Sequence, residues 1–546
     1  MALYLSDNII NCLTLESKRN LKTIDDPSII MLSDNYLNSK NIKTGIEKCK
    51  EMLQPYLHTL LQTIKIKPQI KKIETKIYDP NEFLHSKHNK ITNIQKDTYA
   101  YNKLKILNTL DIYEITFFNN LCFKLYVYYD KENLEIFNII QTIINRLHLI
   151  VSTFATTNNM KYLTKIFTSN NPIPLHIYLY PFNRNIGYNI DNNETLEYYN
   201  HNNCCHCSSG YSNSSYAKVK VRDNYANSNG DDNVFEVVCT RIPEILGLFT
   251  HEMFHILHCD TRYYTTNVDN NNIFELNSNQ LDENSDALIS IIKNYNRKVK
   301  DYKFLETFNN TTTTILHSFY CAIELLVDTQ NLIIDDIKIN NIMQLFGSIL
   351  KKEIIYSIYH TAKILHNQHI NFAKEYFTNE SNTKSYHQLA YLYEYTIVRS
   401  FMFMELDNYV KYMLFKDFGF FDGNDSTQVD ILTKMVAKLL ENVFEMMYNK
   451  KSIEKILYNK IFDNFVKILI EDEKLYLNNK NDSCDVCGPV NMEYFCIDHN
   501  YCMMQLLVNI MSEQGQEQRQ IEFYYYKKYL KYKTKYYNCK HTIRNP

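Results

Sequence analysis

The sequence predicts an α+β protein, mostly helical, in which a small mixed sheet and a histidine-bearing helix are followed by a helical lobe. Three observations predict it. β-rich runs cluster between residues 107 and 240, the stretch 243–260 (PEILGLFTHEMFHILHCD) carries two histidines one helical turn apart, and apolar residues recur at three-to-four spacing from about 300 to 475. At 546 residues the chain has room for several domains. Its patterning divides it into an N-terminal extension of mixed and helical character (1–95), a core with the sheet and the histidine helix (96–300), a helical lobe (301–475) and a Cys/His segment with a basic, Tyr-rich tail (476–546).

Composition narrows the classes. A net charge of −2 argues against a bulk polyanion or polycation partner for the whole chain. Ten Gly, ten Pro and no Trp beside 45 Tyr resemble the bias of an A+T-rich coding genome, so no function is read from them. Fourteen Cys show no small-domain disulfide framework, and the N-terminus MALYLSDNII lacks a basic region and a sufficient apolar run. The expectation is an intracellular, reducing location without a secretory signal peptide.

Taken in order, residues 1–95 are polar and Asn-rich, with a helical pattern at 46–64 and no evident chemistry. Residues 107–130 read as two strands joined at Asn119-Asn120, a hairpin signal. The run 137–155 carries Gln141, Asn145, Arg146 and His148, which suits an amphipathic helix on a core rather than a membrane span. Strands follow at 173–180 and 234–240, separated by a long polar loop. The second ends a few residues before the histidine helix and is expected to be an edge strand able to hydrogen-bond an extended peptide.

The histidine helix has its own start signals. Pro243 suits a first helical position and Glu244 the positive helix end, while Ile245, Leu246, Phe249, Met253, Phe254 and Leu257 place apolar side chains on both sides. Such a helix is buried, and a buried His-Glu pair costs free energy unless something binds it. His251 and His255 share one face and can close on one Zn2+, with Glu252 between them as the base that takes a proton from the attacking water. That is the chemistry of amide hydrolysis. A metzincin would need Gly at 258 and His at 261, where this chain has His258 and Thr261. The third ligand is expected from 281–289 (LDENSDALI): Glu283 first, with Asp282, Asp286 and, more weakly, Asp260 as rivals. Asp286, near Glu283, is also the candidate to accept the second ring N–H of a ligating histidine. His258 reads as structural or supporting. Tyr263, Tyr264, His360, His366, His387 and Arg399 are open candidates for a donor to the oxyanion.

HEMFH with Glu283 on a following helix resembles the gluzincin branch of the zincin metallopeptidases. IPLHIYLYPF, SSGYS at 208–212, Arg241 with Glu244, HEMFHILHCD and YEYTIVRS at 393–400 are more closely similar to zincin-like proteins of large DNA viruses, as is the tail YYYKKYLKYKTKYYNCK. The match covers roughly 100–425. It implies a zincin-like zinc peptidase fold with His251, His255 and Glu283 as ligands and Glu252 as base, in a viral protein of the host cytoplasm or virion. The chain departs from the family pattern where Cys204, Cys205, His206 and Cys207 crowd together, and where ENSDA replaces a shorter acidic-aromatic motif.

The remaining motifs are secondary. Cys204 and Cys205 are adjacent and cannot readily share one tetrahedral site, so that loop reads as reduced thiols. Cys484, Cys487, Cys496, His499 and Cys502 have the residue types of a second, structural zinc site. The tail at 521–546 carries seven Lys or Arg against one Glu, with Tyr at helical spacing, and suits contact with nucleic acid or another protein. The expected function is zinc-dependent hydrolysis of a protein or peptide. The alternative is a non-catalytic zincin-fold viral protein with a structural or interaction role.

Overall fold

The computed structural model describes residues 21–78, 107–118, 120–131, 135–154, 164, 168–179, 210–214, 235–239, 245–257, 304–327, 335–366, 369–378, 393–415, 426–448 and 451–480. The architecture is α+β and mostly helical, with one mixed six-stranded sheet. Two helices come first, α1 (Pro27–Leu37) and α2 (Lys40–Ile64). Asp26 caps α1 by accepting from the Ser28 N–H, and Pro27 occupies a first-turn position where no donor is lost.

The strands are β1 (Gln69–Ile77), β2 (Thr109–Thr116), β3 (Cys122–Tyr129), β4 (Ile173–Leu179), β5 (Gly210–Ser214) and β6 (Phe235–Cys239). Their order across the sheet is β1-β2-β3-β4-β6-β5. β2 and β3 form the expected hairpin, and Asn120 at its turn takes a positive φ of 62°, a conformation that suits Asn. β3 and β4 run parallel, and α3 (Glu135–Phe154) lies between them in sequence as the crossover. Alternation is clear in β3: Phe123, Leu125 and Val127 are buried in the same core as Ile143, Leu147 and Ile150 of α3, while Lys124 and Tyr126 are half-buried. β1 is tied on by Asp111 of β2, which accepts from Lys72 Nζ (2.9 Å), Thr75 Oγ1 (2.6 Å), Tyr113 OH (3.0 Å) and Tyr129 OH (3.2 Å). Burial pushes the Asp111 carboxyl up, but those donors outweigh it and hold the group below the usual carboxylate range.

One expectation is corrected here. The strand at 234–240 is not an edge: β6 lies between β4, to which it is parallel, and β5, to which it is antiparallel. Among the described strands the edge is β5, a GYSNS segment inside what the sequence shows only as a polar loop. Beyond β6 the chain enters α4 (Ile245–Ile256), the histidine helix.

The helical part comprises α5 (Phe304–Leu326), α6 (Asp336–His366), α7 (Leu406–Phe415), α8 (Ser426–Tyr448) and α9 (Ile453–Lys480). The apolar pattern at 386–415 suggests one continuous helix, but its described part, 393–415, is segmented. A π-helical turn at Tyr393–Val398 leads through a short α turn (Arg399–Met402) and a 3-10 turn (Phe403–Glu405) into α7. The pattern at 429–470 also reads as one run. It parts between α8 and α9, where the Ser452 hydroxyl accepts the Lys455 N–H and starts the second helix. α2 packs on α3, α6 and α7, and at its crossing with α7 a Cβ on Gly45 would come within 2.8 Å of the Asp407 backbone nitrogen. One apolar core runs from Leu21 to Leu469 through sheet and helices alike. Among the described residues no helix is long and apolar enough to cross a membrane.

Candidate metal centre

Helix α4 is buried on every side whose side chains are described. Leu246, Phe249, Met253 and Leu257 are fully enclosed, and each such side chain contributes roughly 1.5–3 kcal/mol by leaving water. That burial holds two ionisable residues inside the protein, His251 at 3 % exposure and Glu252 at 6 %. Among the described residues Glu252 makes no hydrogen bond and no ion pair. The backbone puts position 255 one turn after 251; the His255 side chain lies outside the described residues.

Helix α5 supplies the surroundings of His251. Its FNNTTTT run is rich in poor helix formers, yet it is helical because the hydroxyls bond back along the chain: Thr311 to the Thr307 carbonyl (2.7 Å), Thr314 (2.7 Å) and Thr313 (3.2 Å) to that of Asn310. The Thr313 hydroxyl also lies 3.4 Å from Nδ1 of His251. Nε2 faces Glu306, the acidic residue in the first turn of α5, with Nε2 and Oε2 3.5 Å apart. Two ligands of a tetrahedral zinc with bonds of about 2.1 Å stand about 3.4 Å apart, so the pair fits one ion.

Tyr395 completes the group. Its hydroxyl donates to Glu306 Oε2 at 3.4 Å, and its ring stands edge-on to His251, centroids 5.8 Å apart at 90°. It sits in the π-helical turn, whose wider coil is often found at functional sites, and the Asn310 amide holds that turn by donating to the Tyr395 carbonyl at 2.6 Å.

Glu306 and Tyr395, which the structure brings to His251, are not among the candidates from sequence. Asp260, Asp282, Glu283, Asp286, His258, Tyr263, Tyr264, His387, the loop Cys204 to Cys207, the group Cys484, Cys487, Cys496, His499 and Cys502, and the tail all lie outside the described residues. Of the other candidate donors, His360 is buried on α6 against the Tyr356 ring, His366 bonds Asn371 (2.6 Å), and Arg399 donates to Thr314 (3.3 Å). Among the described residues no three His, Cys, Asp or Glu side chains gather into a complete metal site; His251 and Glu306 form the described pair. A scan against protein-family models and searches of curated proteins and of solved structures found no match to this chain.

Proposed function

We propose that the chain is a zinc-dependent peptidase of zincin type, in which His251, His255 and Glu306 hold Zn2+ and Glu252 is the general base. The observation that carries this reading is the 3.5 Å separation of His251 Nε2 and Glu306 Oε2, next to a buried Glu252. Glu283, the candidate from sequence, is the alternative carboxylate ligand. Bound there, Zn2+ supplies Lewis-acid polarisation of the scissile carbonyl and lowers the pKa of the attacking water. Glu252 takes the proton of that water and returns it to the amine as the peptide bond breaks. The Tyr395 hydroxyl turns from Glu306 to the carbonyl oxygen as negative charge builds there. β5 packs against α4 and is the outermost of the described strands, so it is the one to offer backbone groups to an extended substrate, the role expected of β6.

The test is metal content together with cleavage of a broad peptide library. It compares the wild type with His251→Ala, Glu252→Gln, Glu306→Ala, Glu283→Ala and Tyr395→Phe. Wild type is expected to hold zinc and cut, and Glu252→Gln to hold zinc without cutting. His251→Ala and Glu306→Ala are expected to lose the zinc. Tyr395→Phe should keep it while kcat falls about a hundredfold, the usual loss for an oxyanion donor. Loss of zinc in Glu283→Ala instead would move the third ligand to that residue. Unchanged metal content in every variant would end the metal reading, and zinc without cleavage would leave a non-catalytic interaction protein.

A further inference from the structure

Behind the metal helix lies a buried arginine that the chemistry above does not use. Arg146, on α3, is fully enclosed. Its Nη1 donates to the Leu246 carbonyl (3.3 Å) and the Thr250 hydroxyl (2.9 Å) of α4, and to Nδ1 of His317 (2.9 Å) on α5. Nε and Nη2 form a fork on the two carboxylate oxygens of Glu324, at 2.7 and 2.5 Å, and Nη2 also reaches Cys321 Sγ at 3.8 Å. Burial pulls the guanidinium pKa down, but Glu324 more than offsets that and keeps the group charged.

These contacts fall close to the metal centre in sequence. Thr250 directly precedes His251, and its hydroxyl also donates to the Leu246 carbonyl (2.7 Å), so the two α4 contacts act as one unit. His317 lies one turn beyond Thr313, whose hydroxyl contacts His251. Apolar side chains of similar volume would serve stability as well as a buried ion pair does. What a guanidinium adds is geometry, because its donors lie in one rigid plane and fix three helices in a single relative placement.

We propose that Arg146 is the positioning residue of the metal centre: by joining α4 to α5 from behind, it sets the separation of His251 from Glu306. The inference rests on the metal reading above, and its test keeps the two apart. Arg146→Lys retains the charge but loses the fork, and Glu324→Gln retains the shape but loses the ion pair. For each full-length variant three quantities are measured: the Zn2+ dissociation constant by competition with a chromogenic chelator, the Tm of the metal-free protein, and amide hydrogen exchange of the metal-free protein by mass spectrometry.

In Arg146→Lys, Zn2+ is expected to bind about tenfold more weakly, the scale of loss seen when a supporting residue around a metal site is removed. Exchange should quicken across 245–257 and 304–327 and stay unchanged across 336–366. Wild-type zinc affinity and wild-type exchange in both helices, even with a lowered Tm, would overturn the proposal and leave Arg146 as a stabilising residue only. Should wild type bind no zinc, the metal reading fails, and exchange across α4 and α5 alone decides whether Arg146 positions them. Should Arg146→Lys not fold, Glu324→Gln carries the same readouts with a smaller expected effect.

Discussion

At the scale of single residues, His148 shows how burial without a partner becomes pH dependence. It lies on α3 with its ring against Phe117, and its Nε2 has no hydrogen-bond partner among the described residues. Burial pushes its pKa down to about 4, from an ordinary value of about 6.5. Below pH 6.5 the unfolded chain therefore takes up a proton that the folded protein refuses. Stability is complete above that pH and falls as pH drops towards 4, by at most about 3 kcal/mol. Replacing His148 with Leu is expected to flatten this slope, read as urea unfolding at pH 7 and pH 5; an equally steep fall in the variant would assign the dependence elsewhere. The candidate site was legible in the sequence only in part. His251, Glu252 and His255 stand out because their spacing is local, four residues on one helix. Glu306 and Tyr395 come from α5 and the π-helical turn, and no periodicity marks one carboxylate among 61 Asp and Glu as the one that chain packing brings to His251.

Elements make the same distinction between contacts that yield and contacts that do not. Gly45 of α2 faces α7, where an added Cβ would lie 2.6 Å from Leu406 Cβ and 2.8 Å from the Asp407 backbone nitrogen. Neither neighbour can swing aside. Gly347 of α6 faces only the far end of the Lys50 side chain, which can. Gly45→Ala should therefore force two helices apart and cost about 1–3 kcal/mol. Gly347→Ala should gain roughly 0.5–1 kcal/mol of helix propensity. Denaturant midpoints of the two variants check the pair, and a loss in Gly347→Ala equal to that in Gly45→Ala would refute the argument. Elements with a buried face were readable in the sequence: the β2–β3 hairpin, α3, β4 and α4 each show apolar periodicity because one side meets the core. β1 does not. All nine of its residues are exposed, and a bulge between Lys72 and Glu74 spaces Ile70, Ile73 and Ile77 like a helix. β5, GYSNS, has no apolar alternation to read, which is why β6 looked like the edge.

For the whole molecule, the site falls where two parts of the chain meet. His251 rides on α4, which follows the sheet, whereas Glu306 and Tyr395 belong to the helical part that comes after it. A metal held by both would staple sheet and helices together, adding to the single apolar core that already spans them. Such binding stabilises the folded state by mass action, about 4 kcal/mol when free metal stands a thousandfold above its dissociation constant. Dialysis against a chelator is therefore expected to lower Tm by several degrees, and stoichiometric Zn2+ to restore it where Mg2+ does not, since the donors are imidazole and carboxylate in a small tetrahedral set. Glu252→Gln should show the same shift, because the base is no ligand. His251→Ala should start at the lower Tm and not respond. A shift that survives in His251→Ala would belong to a second metal, with Cys484, Cys487, Cys496, His499 and Cys502 as its donors. A wild-type Tm indifferent to chelator would mean that His251 and Glu306 meet directly, with no metal joining sheet to helices.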